Sequence, residues 1–206
     1  GHSDFKAVTP VTSIAAFMED PSLVNPALGI DASIDVFTFD PVANKGDGGI
    51  NDYLYEKGNQ LTVLAFALQN ITNNLNTTTE TTQDYFKAIT DEIEKEYTET
   101  STKVDIETEA FVTKVFDNVI TAKSVTIEEA AKSNTVTALT GMLPVIQVKS
   151  EDDLTTAVIR FAISTLQTDI QTIADGSASA ETLKSYTEDL LNYIAEDQNI
   201  DSSKIA

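Results

Sequence analysis

The sequence predicts an all-α protein, an antiparallel helical bundle of about six main helices with an irregular N-terminal cap. Three observations carry that expectation. From Ile50 onward, apolar residues recur at three- and four-residue steps, the mark of a helix with one buried stripe. No run shows sustained two-residue alternation between hairpin turns, although Pro144 to Lys149 has the residues of a short extended piece. The links between periodic stretches are mostly short, which favours antiparallel neighbours in an up-and-down bundle.

In order along the chain, Thr9 followed by Pro10 is a cap and first-turn pair, so a short helix should run through Ile14 and Phe17. Pro21 and Pro26 interrupt the pattern and leave a short helix from Leu23 to Leu28 that stops at Gly29. Residues 31–49 read as irregular, with a glycine-rich loop from Asn44 to Gly49. The longest helix follows from Ile50 and carries Leu54, Leu61, Leu64, Leu68 and Ile71. Gly58 inside it points to a neighbouring helix crossing closely, since glycine otherwise weakens a helix by about 1 kcal/mol.

After a polar Thr and Asn run, a second long helix carries Tyr85, Ile89 and Ile93, with acidic residues on its other face. A third begins near Asp105 and carries Ile106, Phe111, Val115 and Val119. A fourth follows Thr126, which stands in capping-box spacing with Glu129, and should stop before Pro144. Two more are expected, from Ser150 to Asp175 and from Ala180 to Ala195. The organisation is thus a cap over 1–49, part of the same domain as a bundle over 50–197, with a tail over 198–206.

Composition narrows the function classes. The 206 residues carry 33 Asp and Glu against 13 Lys and Arg, a formal charge of −20, which repels a phosphate backbone and argues against nucleic-acid binding. There is no cysteine, which removes disulfides and thiolate chemistry. The one histidine, His2, stands in a Gly-His-Ser opening that reads as the remnant of a cleaved tag. Without imidazole, Ser-His-Asp catalysis, the usual zinc ligand sets and a near-neutral proton shuttle all fall away. The expectation is therefore no enzyme and no catalytic residue. No apolar run approaches the roughly 20 residues needed to span a bilayer. A Thr-rich, acidic surface with a single arginine, Arg160, suits salty, calcium-containing extracellular surroundings better than the cytosol.

Oxygen ligands crowd the irregular segment, and Asp40, Asp47 and Asn51 are the candidates for a weak calcium site. The spacing does not match an EF-hand loop, and the competing reading has Asp31 and Asp35 capping short helices while the rest solvate a loop. No other cofactor is expected. Asp91, Glu92, Glu94, Glu96 and Glu99 read as a solvated helix face, with Lys87 and Lys95 in the same rows. Tyr53, Tyr55, Phe66, Phe86, Phe111, Phe116 and Phe161 read as core, with an apolar ligand pocket as the alternative. Asn70-Ile71-Thr72 and Asn76-Thr77-Thr78 match a glycosylation triplet that arises by chance in a Thr-rich chain.

The run Thr9-Pro10-Val11-Thr12-Ser13-Ile14, the Ala27-Leu28-Gly29-Ile30 step and the segment from Asp35 to Pro41 recur in that order. Together they resemble helical modules of large secreted bacterial surface and adhesin-type proteins. That resemblance implies a non-catalytic, extracellular module in adhesion, matrix assembly or spacing. Its partners would be other domains of a larger surface protein or matrix components, with no nucleic acid and no membrane span of its own. The alternative is a small-molecule binding bundle, with its pocket between the long helix and the helices of Phe111 and Phe161. A two-carboxylate hydrolase would need two acidic groups facing each other across a cleft.

Overall fold

The computed structural model describes residues 8–41, 49–76, 81–124 and 126–146, and these hold six α-helices and no strand. They are α1 (Pro10–Phe17), α2 (Val24–Leu28), α3 (Ile50–Asn76), α4 (Thr82–Thr100), α5 (Glu109–Lys123) and α6 (Glu129–Met142). Single 3-10 turns occupy Pro21–Leu23 and Leu143–Val145. The protein is all-α, as its periodicity predicts. The expected helices over 150–175 and 180–195, and the tail, lie outside the described residues.

Local chemistry explains most of the helix ends. Thr9 caps α1 by accepting the Thr12 N–H at 3.1 Å, while the Thr12 hydroxyl oxygen accepts the Thr9 N–H at 2.8 Å. Gly29 ends α2 in the left-handed region at φ +69°, where a side chain is disfavoured. At the start of α4 the Asp84 carboxylate accepts both the Thr81 N–H and the Thr81 hydroxyl. Thr108 caps α5 through the Phe111 N–H, so that helix begins later than expected. Asp105 instead turns the chain before it, accepting the Glu107 N–H.

Two local expectations are corrected. Thr126 is not the cap residue, because α6 starts at Glu129 with Glu128 in the cap position and no cap bond from the Glu128 side chain. Pro144 lies within a 3-10 turn rather than an extended piece, since its fixed φ suits the first turn of a helix as well as a strand edge, and residues 147–149 of that stretch lie outside the described residues.

α3 is the central helix. Val63, Leu64, Ala65, Ala67 and Leu68 are all fully buried, and at 100° per residue they spread over about 200° of the circumference, a wider arc than a single packing stripe. α4 pairs with α3, α5 with α4, and α6 with α5. The pairing of α4 with α5 is antiparallel, because Asp84 meets Lys123 at one end and Glu96 meets Lys114 towards the other. Phe111, Phe116 and Tyr85 fill the core between these helices. Each large apolar side chain buried in this way contributes about 1.5–3 kcal/mol.

The N-terminal cap is more deeply integrated than the word suggests. α1 packs against both α3 and α4, and its Ile14 and Ala15 are fully buried. α1 does cross α3 at Gly58, but a methyl group there would lie 3.5 Å from Pro10, ordinary van der Waals contact. The crossing therefore does not require glycine. Behind α2, the Val104 N–H donates to the Ala27 carbonyl and the Tyr53 hydroxyl to the Leu28 carbonyl, tying the cap to the chain ahead of α5 and to α3.

Candidate functional site

The sequence-predicted calcium ligands are distributed as follows. Asp40 is half-buried just ahead of Pro41, and Asn51 is in the first turn of α3. Asp47 lies outside the described residues. Among the described residues, no group of three or more acidic or histidine side chains converges as a metal site would require. Asp31 and Asp35 do not cap helices. Each closes an Asx turn, Asp31 on the Ser33 N–H and Asp35 on the Phe37 N–H.

Two buried polar clusters form where the sequence offered only weak signs. In the first, α3 presents Lys57 and Gln60 one turn apart to Glu107 in the turn before α5. The Lys57 ammonium lies 2.5 Å from Glu107 Oε1 and donates to Gln60 Oε1 at 2.8 Å. Gln60 Nε2 donates to the same Glu107 oxygen at 3.1 Å and to the Leu143 carbonyl at 2.8 Å. Three separate stretches of chain are thereby bonded through two side chains of one helix. The Tyr53 ring lies beside this cluster, with the ammonium of Lys57 5.7 Å and that of Lys103 5.1 Å from its centre.

The second cluster overturns part of the solvated-face reading of α4. Glu92 is 1 % exposed. Its Oε2 accepts the Asn118 amide at 2.9 Å, its Oε1 has no hydrogen-bond donor, and the ammonium groups of Lys114 and Lys95 stand 3.7 and 3.8 Å away. Glu94 is also engaged, its two oxygens accepting the backbone N–H groups of Glu19 and Asp20 beyond α1. Asp91 and Glu99 remain exposed, as expected.

Hydrogen bonding sets the few perturbed acidities. Asp84 falls to about 2, chiefly because the Thr81 hydroxyl and N–H bond its carboxylate, with Lys123 adding to the effect. Ser22 lowers Asp20, and Ser33 lowers Asp31, in the same way. Lys114 is raised by its bond to Glu96.

Of the aromatic residues proposed to line a pocket, Phe111 and Phe116 are fully buried core, and Phe161 lies outside the described residues. A cleft of about 410 Å³ does form, but on the cap, between α2 with its preceding turn and the loop through Phe37. Thr72 of the first glycosylation triplet is fully buried and bonded to the Tyr85 hydroxyl. Comparison with known protein families, curated protein sequences and solved structures found no match to this chain.

The Lys57 pattern had one legible sign, a lysine and a glutamine flanking buried positions of the longest helix. Glu92 had another, an acidic residue adjacent to Ile93 and three residues beyond Ile89 on the core side. Both signals are weak, since the partners Glu107, Leu143 and Asn118 come from remote parts of the chain.

Proposed function

We propose that this chain is a non-enzymatic helical module of a larger secreted or surface-attached bacterial protein, serving adhesion, matrix assembly or spacing. The observation that carries this reading is the use the fold makes of its cations. Lys57, Lys87, Lys95, Lys114, Lys123 and Lys132 are each paired with a carboxylate, and Lys103 lies over the Tyr53 ring. Among the described residues positive charge thus serves to join or brace helices, while the chain as a whole carries a net charge of −20. Such a surface stays dispersed and hydrated where salt screens its self-repulsion. No described helix is long and apolar enough to cross a membrane, in keeping with attachment through another part of a larger protein.

Protease treatment of intact source cells tests the proposal. Release of peptides from this chain without lysis is the expected result, and recovery only from the cytosolic fraction as a small free protein overturns it. Ion dependence is tested separately, by thermal melts in millimolar calcium, in magnesium and in chelator. A calcium-specific rise lost in Asp40→Ala or Asp47→Ala assigns the loop as an ion site, because a ligand of the folded state alone raises the midpoint. Equal midpoints make the loop solvated surface.

A further inference from the structure

The cleft on the cap has a floor of buried Val24, Ile30 and Val36 and a half-buried Phe37 in its wall. Its volume, about 410 Å³, falls in the range of small-ligand sites. Its rim is held open by bonds already made. Asn25 Nδ2 donates to the carbonyls of Asp31 and Ile34 at 3.0 and 2.7 Å, keeping the loop at a fixed distance from α2. Asp31 accepts the N–H and hydroxyl of Ser33, and Asp35 Oδ1 accepts the Phe37 N–H. A wall braced in this way adds little ordering cost when a ligand enters.

The polar side chains in the lining are Ser22, Asn25 and Asp35, and none is cationic. The amide donor of Asn25 is committed to the loop carbonyls, and the Ser22 hydroxyl donates to Asp20. What the cleft offers a ligand is therefore oxygen acceptors over an apolar floor. Asp35 adds a full negative charge at the exposed edge, and Phe37 two residues on adds an aromatic ring. A carboxylate and an aromatic ring lining one cleft are the pair of groups that recognises an ammonium group. The charge of −20 on the whole chain raises the local concentration of cations further.

We propose that this cleft is a binding site for a small apolar amine. The ammonium group pairs with Asp35 at the edge, and the hydrocarbon body lies on Val24, Ile30, Val36 and Phe37. This site stands independently of the surface-module reading above.

The test is an amide-resolved NMR titration of the full chain with phenethylamine and with phenethyl alcohol, its uncharged counterpart. The expected result is saturable shifts confined to residues 21–37, with the amine binding about tenfold more tightly than the alcohol. Asp35→Asn keeps the oxygen that accepts the Phe37 N–H, so the fold persists while the preference for the amine disappears. Ala32→Trp, at an exposed lining position, fills the cleft and removes both shifts with the melting temperature retained. Equal affinities for amine and alcohol overturn the proposal, as do shifts that do not saturate or that map elsewhere on the acidic surface. Capture of a lysine-bearing peptide without any response to the free amine overturns it as well.

Discussion

At Lys57 an ammonium lies 2.5 Å from a carboxylate whose oxygen also takes a Gln60 donor, and the glutamine continues the chain of bonds to a backbone carbonyl. At Glu92 a carboxylate is buried more completely, yet its nearest ammonium is 3.7 Å away and one oxygen accepts nothing. Removing a charge from water costs several kcal/mol per ion, recovered only where geometry is close and the remaining polar atoms are bonded. The first cluster meets that condition by direct contact between rigidly held neighbours. The second relies on the field of two lysines whose heads are half in solvent and whose flexible stems span the gap.

Breaking each cluster separates these cases. Glu107→Ala leaves the Lys57 ammonium buried without its carboxylate and should destabilise the fold by about 3 kcal/mol, read from urea melts. Lys57→Met combined with Glu107→Leu should recover most of that loss, because neither charge then remains. Glu92→Ala should cost about 2 kcal/mol through the cavity and the stranded Asn118 amide. Glu92→Gln keeps an acceptor for Asn118 and should change stability by less than about 1 kcal/mol. A loss in Glu92→Gln equal to that in Glu107→Ala would erase the distinction between the two clusters.

The same contrast between filled and open space separates two glycines. Gly29→Ala puts a side chain at φ +69° and a methyl 2.5 Å from the Lys103 stem, so a loss of about 1–2 kcal/mol is expected. Gly58→Ala meets only ordinary contact with Pro10 and should stabilise by about 0.5–1 kcal/mol through helix propensity. A loss at Gly58 would show that α1 crosses more tightly than its contact with Pro10 indicates.

The smallest effect concerns pH. Asp84 is at about 2 when folded against an ordinary value of 3.8, so its contribution is complete above about pH 4 and is lost as pH falls through that window. Asp84→Asn should flatten the acid limb of the stability curve between pH 4 and pH 2 and lower neutral stability by the contribution that the carboxylate otherwise gains over that range. An unchanged acid limb would show that Thr81 and Lys123 do not hold this carboxylate in solution.

Much of the fold is legible in local chemistry. Thr9-Pro10, Gly29 and the three- and four-residue apolar steps of α3 to α5 act over a few residues, so each predicts its element wherever the rest of the chain goes. The capping-box spacing at Thr126 and Glu129 failed for the same reason that such signals are weak. Two residues at the right spacing form a box only if the helix starts directly after the first, and α6 starts two residues later. The acidic face of α4 was misread in part because helical spacing places Glu92, Glu94 and Asp91 on directions around the axis without saying what each direction faces. Glu92 faces α5, Glu94 faces the turn after α1, and Asp91 faces Lys87 and solvent.

By itself the sequence determined the helical class, the central helix, the helix-ending glycine at 29 and the lack of thiol chemistry in these 206 residues, all of which depend on residue identity and short-range periodicity. Only the tertiary structure decided that α1 wedges against α3 and α4, that Lys57 meets Glu107 and that Glu92 is buried. It also decided that Asn25 braces an open apolar cleft on the cap. Those outcomes turn on contacts between residues tens of positions apart, or on a loop folding back over its own helix. Their energies come from desolvation and direct pairing, quantities that exist only once the remote partners are brought within bonding distance.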